Sequence, residues 1–333
     1  MPMAAGALKP SPNARSPRCR PISIRLTGLR MYSPGIRCDL TGIAMGFSYD
    51  SAIEFRTDWV EAEYAASDVI LYALGVGFGQ DLRDDTALDF VLETRGPKVL
   101  PTIATTLVKS ISRDLGLEMS GVVHAAQRLE VISPLPPSAR FFWQAAVSEI
   151  VDRGPDKGAV VTFETTARET VEGPVLFILH NTLLARRDGG CGGPEMPKTA
   201  RDAMPDRTPD ITHKVPTRAD QALLYRLNGD LNPLHVEPEA ARKAGFPIPI
   251  LHGLCTYGIA CRAIVEAVCA SDPTRLRSIE GKFTAPVFPD DEITVRIWNE
   301  GRNIRFSCAV AERDVVVFDD GLCRLFDPSP ARN

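Results

Sequence analysis

No stretch of this 333-residue chain approaches the ~18 consecutive apolar residues that a membrane-spanning helix needs. None of its eight cysteines (Cys19, Cys38, Cys191, Cys255, Cys261, Cys269, Cys308 and Cys323) stands in a CxxC pair, which removes most of the case for zinc or a dithiol redox site. Three of them fall in one apolar helical pattern, where cysteine behaves as a small hydrophobe, so reduced thiols are expected. A strong charge of either sign is also missing. With 42 acidic against 38 basic residues the net charge is −4, and bulk electrostatics predicts neither nucleic-acid nor membrane-surface binding. "GGCGG" at 189–193 lacks the Lys-Ser/Thr of a phosphate loop, and the terminal "SPARN" is no Ser-Lys-Leu address, so a cytoplasmic location is expected. What remains is 44% apolar and 24% charged residues, the balance of a globular protein long enough for two domains.

Residues 1–44 stand apart, with six Arg and one Lys against the single acid Asp39. That is a transit-peptide composition, and an organellar location is the alternative it leaves open. Pro10, Pro12, Pro17, Pro21 and Pro34 oppose the amphipathic helix such a peptide forms, so a disordered leader is expected there.

Beyond residue 45 one pattern occurs twice, a helical run followed by strands. Leu254, Tyr257, Cys261, Ile264, Val265 and Val268 recur at helical spacing. Alternation at Ile293–Ile297 and Ile304–Val310 marks two antiparallel strands around a turn at Gly301-Arg302. In the first half a helical run over 101–115 precedes strands near 121–132, 139–153, 158–169 and 174–186. "LYAL" at 71 and "LYRL" at 224, "VLPT" at 99 and "ILHG" at 250, "SPLPP" at 133 and "APVFP" at 285 start 153, 151 and 152 residues apart. A near-constant offset reads as a duplication. Each repeat can hide its helix only against its own strands, which predicts an α+β chain of two helix-wrapping antiparallel sheets side by side. The repeats are placed at 45–186 and 211–328, joined by an aperiodic Gly/Pro-rich linker at 187–210.

The chemistry lies in one repeat only. "YRLNGDLNPLHVEPEAARKAGFPIPILHGL" at 225–254 sets Asp230 five residues before His235, with Asn232 pushed extended by Pro233. Pro238 starts a new helix that Gly245 closes, so the turn is held between two helices. The offset carries Asp230 and His235 onto Gly77 and Leu82, which move no protons. A carboxylate and an imidazole can share one water as acid and base near neutral pH; a capping Asp and a buried His would account for the same residues. Gly253, opening the long apolar helix, tips the balance, because a helix-terminal amide can hold a developing oxyanion. Together these groups suffice for adding water to a double bond conjugated to a carbonyl. Cys255 is read as core, and metal binding by His235 with Glu237 or His252 matches no ligand spacing.

This 225–255 segment resembles the signature of the (R)-specific enoyl-CoA hydratases (hydratase 2) within the MaoC-like dehydratases, the domain type of peroxisomal multifunctional enzyme type 2. The likeness extends to "SDVILYALGVG", "FVLETRGPKVLPT" and "KFTAPVFPDDEI". It implies a double hot-dog fold with a catalytic C-terminal repeat and an N-terminal repeat that makes room for the acyl chain. It further implies reversible hydration of trans-2-enoyl-CoA to (3R)-3-hydroxyacyl-CoA and a homodimer, with no cofactor beyond the substrate's own CoA. On this chain Asp230 and His235 would activate water and the Gly253 amide would hold the thioester oxygen. Asn232, His252, His124 and Glu93 would support them, Glu93 structurally. The chain departs from the family at Ala125 and Ala126 (usually Gly-Glu after His124), Glu237, Asn228 and Asp290. A dehydratase of another acyl thioester, a hot-dog thioesterase and a non-catalytic acyl-CoA binder are the competing readings. Arg226, Lys243, Arg275, Arg277 and Lys282 are all candidates for the CoA phosphates.

Overall fold

The computed structural model describes residues 47–195 and 203–326, so the expected disordered leader lies outside the described residues. The first repeat runs α1 (Tyr49–Ile53), β1 (Val60–Tyr64), α2 (Ala66–Gly75), α3 (Asp85–Leu88), β2 (Val122–Val131), β3 (Ala139–Asp152), β4 (Ala159–Arg168) and β5 (Val175–Ala185). The second runs β6 (Ile211–Pro216), α4 (Gln221–Tyr225), α5 (Pro238–Lys243), α6 (Gly253–Ala267), β7 (Leu276–Phe283), β8 (Glu292–Glu300), β9 (Asn303–Val310) and β10 (Val315–Leu325). Each repeat thus has five strands, one of them ahead of the helical region, where the periodicity showed four.

The strands form where apolar side chains alternate. Along β3, Phe141, Trp143, Ala145 and Val147 are buried at every second position. The β8–β9 hairpin turns at Gly301, whose φ of +78° a side chain would strain. All pairings between named strands are antiparallel, and the order is β1-β3-β4-β5-β2-β7-β10-β9-β8-β6. The second half of that order repeats the first in reverse about the β2–β7 pair. The two five-stranded halves lie side by side as expected, and the β2–β7 pair joins them into one continuous ten-stranded sheet. Across the central pair Arg128 faces Glu280. Their separation, 152 residues, is the duplication offset, so this pair marks the local twofold between the repeats.

The helix α6 is buried nearly all round, at Cys255–Cys261 and again at Ala263–Val265, as a central helix wrapped by its sheet must be. The matching run in the first repeat does not form the helix expected over 101–115. A single 3₁₀ turn, Pro101–Thr105, is followed by turns. Thr102, Ile103, Thr105, Thr106 and Val108 are β-branched. Moreover, Thr105 Oγ1 donates to the Thr102 carbonyl and Thr106 Oγ1 to that of Ile103, both at 2.8 Å. Such bonds compete with helix propagation, and the apolar spacing alone did not reveal them. Within the expected linker, residues 187–195 are tied down: Asp152 accepts from the Gly190 and Gly192 amides at 2.9 and 3.1 Å. The six described cysteines are free thiols, five of them buried. Among the described residues no helix is long and apolar enough to cross a membrane.

α6 passes close to the first repeat at Gly258. A Cβ there would lie 2.6 Å from both Tyr72 Oη and Val76 Cγ1, two side chains that are themselves fully packed. Gly258→Val is therefore expected to lower stability by about 1–3 kcal/mol in urea unfolding, despite replacing a helical glycine.

Candidate active site

The site is assembled by two short chain segments of the second repeat. After α4 the chain makes a 3₁₀ turn (Arg226–Asn228) that Gly229 ends at φ +116°. Asp230 Oδ1 then accepts from the Asn232 amide at 3.1 Å, and Asn232 Oδ1 accepts from that of Leu234 at 3.1 Å. Pro233–His235 forms one further 3₁₀ turn, and α5 follows with Pro238 at its first position. Asn232 therefore orders the turn through its own amide and side chain. The second segment runs up to α6. His235 Nδ1 donates to the Ile250 carbonyl at 2.9 Å, and His252 Nε2 donates to the Asp230 carbonyl at 3.2 Å. The two imidazoles stack with centroids 3.8 Å apart and planes 28° apart.

These bonds settle the tautomers, because a carbonyl oxygen can only accept. His235 keeps its lone pair on Nε2 and His252 on Nδ1. Side-chain atoms of Asp230, His235 and His252 lie within 4.8 Å of one another, Asp230 exposed and both imidazoles buried. Burial pushes the pKa of His235 down, against the weaker opposing pull of the Ile250 carbonyl and the Asp230 charge. Burial and then His235 push that of His252 down too. Both rings are neutral at pH 7. The stacking does not suit a metal ion. A bond of about 2.0–2.1 Å must lie in each ring plane, and planes so nearly parallel cannot both contain one ion at that range.

Gly253 opens the fifteen-residue α6, and its amide meets no acceptor among the described residues. A Cβ on it would come 3.2 Å from the Phe283 ring, so the glycine admits close packing at the helix start. His124 reaches the same place from β2, next to a bulge between His124 and Ala126. Its ring centroid is 4.8 Å from that of Phe283, and its Nε2 is buried without a protein partner. Burial holds its pKa down at about 4, although the Asp230 charge acts in the other direction. The silent repeat thus contributes His124 to the site.

Glu93 does not join it. It is exposed, and its side chain makes no hydrogen bond or ion pair among the described residues; only its backbone carbonyl is engaged, accepting from the Gly96 amide at 3.1 Å. Cys255 is fully buried in α6, as the apolar spacing predicted. Two side chains that the sequence did not single out do face the site. The Tyr225 ring lies 5.0 Å from that of His252, and Gln127 lies beside His124, its Nε2 donating to the Arg128 carbonyl at 3.1 Å while its Oε1 stays buried and unpartnered. Gln127 stood in plain view three residues after His124, but only the bulge turns both side chains the same way. Of the basic candidates, Lys243 pairs with Glu239 at 2.8 Å and Lys282 with Asp320 at 2.5 Å. Arg275 donates to the Val268 carbonyl, and Arg277 is exposed. Arg226 has a buried Nε without a partner, and its charge reaches His252.

Residues 62–187 match the MFE-2 hydratase 2 N-terminal domain, and residues 201–319 match the MaoC like domain. Enoyl-CoA hydratase ChsH3 of Mycobacterium tuberculosis is 39% identical over 286 residues, covering 84% of this chain and 98% of that protein. The chain belongs to the hydratase 2 family of MaoC-like dehydratases. The peroxisomal enoyl-CoA hydratase 2 of Arabidopsis thaliana is 35% identical over 291 residues, with 81% of this chain and 93% of that protein covered. A MaoC-like dehydratase from Phytophthora capsici, solved by crystallography, aligns with a TM-score of 0.75 and 28% identity over 85% of this chain and 99% of its own. The shared sheet with its single central helix is accordingly a double hot-dog fold, and the chain is an enzyme of the lyase class.

Proposed function

We propose that this chain reversibly hydrates trans-2-enoyl-CoA to (3R)-3-hydroxyacyl-CoA. One observation carries the reading. An exposed carboxylate and a neutral imidazole with its lone pair on Nε2 lie within 4.8 Å, beside the unpaired amide that opens α6. One water can donate to both Asp230 and His235 Nε2. As its oxygen adds to C3, the pair takes one proton and returns it to C2, so the elements of water are conserved. The negative charge passing through the thioester oxygen would be met by the Gly253 N–H and the positive end of the α6 dipole. His252 holds the Asp230 backbone in place, and His124 with Gln127 lines the site from the silent repeat. The family resemblance supports CoA as the carrier and the (3R) configuration; the reading requires no cofactor. A homodimer and a cytoplasmic location belong to the same proposal.

The test is incubation of the purified chain with trans-2-enoyl-CoAs of several lengths, following loss of the conjugated thioester absorbance and the configuration of the alcohol. Conversion to the (3R) alcohol without release of free CoA thiol is expected. Thiol release from saturated acyl-CoA, or a (3S) product, would sink the reading.

A further inference from the structure

The C-terminus of α2, in the repeat without the dyad, ends against the catalytic elements of the other. A helix leaves its last four carbonyls unpaired. Those of Tyr72, Ala73 and Leu74 are met locally by the amides of Val76, Phe78 and Gly77. The fourth, Gly75 O, is met from the second repeat by two side chains. The fully buried Gln221, which opens α4, donates to it through Nε2. Cys255, two residues past Gly253 in α6, donates through Sγ at 3.4 Å. One carbonyl therefore joins the helix that leads to Asp230 and the helix that carries the Gly253 amide. Burial pushes the Cys255 thiol up, so it stays an S–H donor.

The surroundings of Gly75 leave no slack. A Cβ on it would lie 3.0 Å from Asn228 Nδ2 and 3.4 Å from Tyr225 Cδ2, and Asn228 ends the 3₁₀ turn that delivers Asp230. The contact falls on the local twofold. Tyr72 and Tyr225, 153 residues apart, have ring centroids 6.2 Å apart, and Gly75 and Asn228 share that offset. Where the second repeat has Asn, the first has Gly, and the close approach depends on that difference.

We propose that Gly75 is a positioning residue for the active site, its carbonyl setting the Asp230 turn against the start of α6. The silent repeat, on this view, holds the spacing between the activated water and the oxyanion donor. The inference rests on the hydratase reading for its kinetic readout only.

Gly75 has no positive φ, so Gly75→Ala perturbs the contact with Asn228 and not the local backbone. Its kcat for enoyl-CoA hydration is expected to fall about 10- to 100-fold at nearly constant KM, as small misplacements of reacting groups do. Gly75→Ala/Asn228→Ser, which vacates the space, is expected to recover most of that loss. Cys255→Ala is expected to lower kcat while Cys255→Ser, which keeps a donor, does not; this pair keeps the test open if Gly75→Ala fails to fold. Imidazole NMR provides a readout that needs no turnover, because the chain has only five histidines. The His235 and His252 ring signals are expected to shift in Gly75→Ala and Cys255→Ala and to return in their partner variants. Unchanged ring signals, or a kcat loss that Asn228→Ser does not relieve, would overturn the proposal. An inactive parent chain whose ring signals still respond would count against the hydratase reading alone.

Discussion

Asp230→Asn is expected to lower kcat for hydration by about 10²- to 10⁴-fold and to leave the unfolding midpoint almost unchanged. The two halves of this expectation have separate causes. Asp230 is exposed, and its side chain's structural duty is to accept the Asn232 amide, which an Asn Oδ1 performs equally well. The backbone carbonyl that accepts from His252 is untouched by the change. Fold and turn should therefore survive, with a stability change inside about 0.5 kcal/mol. The ability to take a proton from water does not survive, because an amide is no base at neutral pH. Stopped-assay kinetics alongside thermal melts would separate the two. Full activity in Asp230→Asn would refute the dyad, and lost activity with a lowered melting point would reassign Asp230 to a structural role.

Acidification from pH 7 to pH 5 is expected to destabilise the folded chain before its carboxylates titrate. His124, His235 and His252 are all held below the usual imidazole range by burial. In the unfolded chain they titrate near 6.5. Below that pH the unfolded state binds protons that the folded state refuses, so stability is full above about 6.5 and declines as the pH falls towards the lowered values. His124, at about 4, is the firmest case; by pH 4 its share of the loss is on the order of 3 kcal/mol. Half-buried Glu266, whose carboxyl is held below its ordinary range by His213 and Arg262 against the opposing effect of desolvation, loses stability in the same direction but at lower pH. Urea midpoints at pH 7, 6 and 5 would show a steady decline, and His124→Gln should make it shallower, leaving the share of His235 and His252. A flat profile between pH 7 and 5 would mean that these imidazoles are hydrated in solution.

Much of this site was legible without coordinates because it is local. Asp230, Asn232, Pro233 and His235 lie within six residues, and the backbone rules for a residue before proline already dictate the turn between them. The Pro238 start and the Gly245 stop of α5 were readable for the same reason. Alternation outlined β2 to β5 to within a residue or two, since a half-buried strand repeats every second residue whatever it pairs with. The expected helix over 101–115 failed because spacing reports which face is apolar but not whether threonine hydroxyls will capture the carbonyls. Glu93 failed differently: a matched position in a motif does not show what the side chain touches.

The duplication, its offset and the confinement of the dyad to one repeat were determined by the sequence by itself, because each is a comparison of residues along the chain. Only the tertiary structure decided that the repeats share one sheet, with Arg128 facing Glu280 across the twofold. It also decided that His124 lines the site of the other repeat and that Gly75 O accepts from Gln221 and Cys255, partners 146 and 180 residues away. Local rules weigh neighbours within a helical turn or a strand pair. Contacts at such separations form only because burying both faces of the helical layer brings the ends of α2, α4 and α6 together.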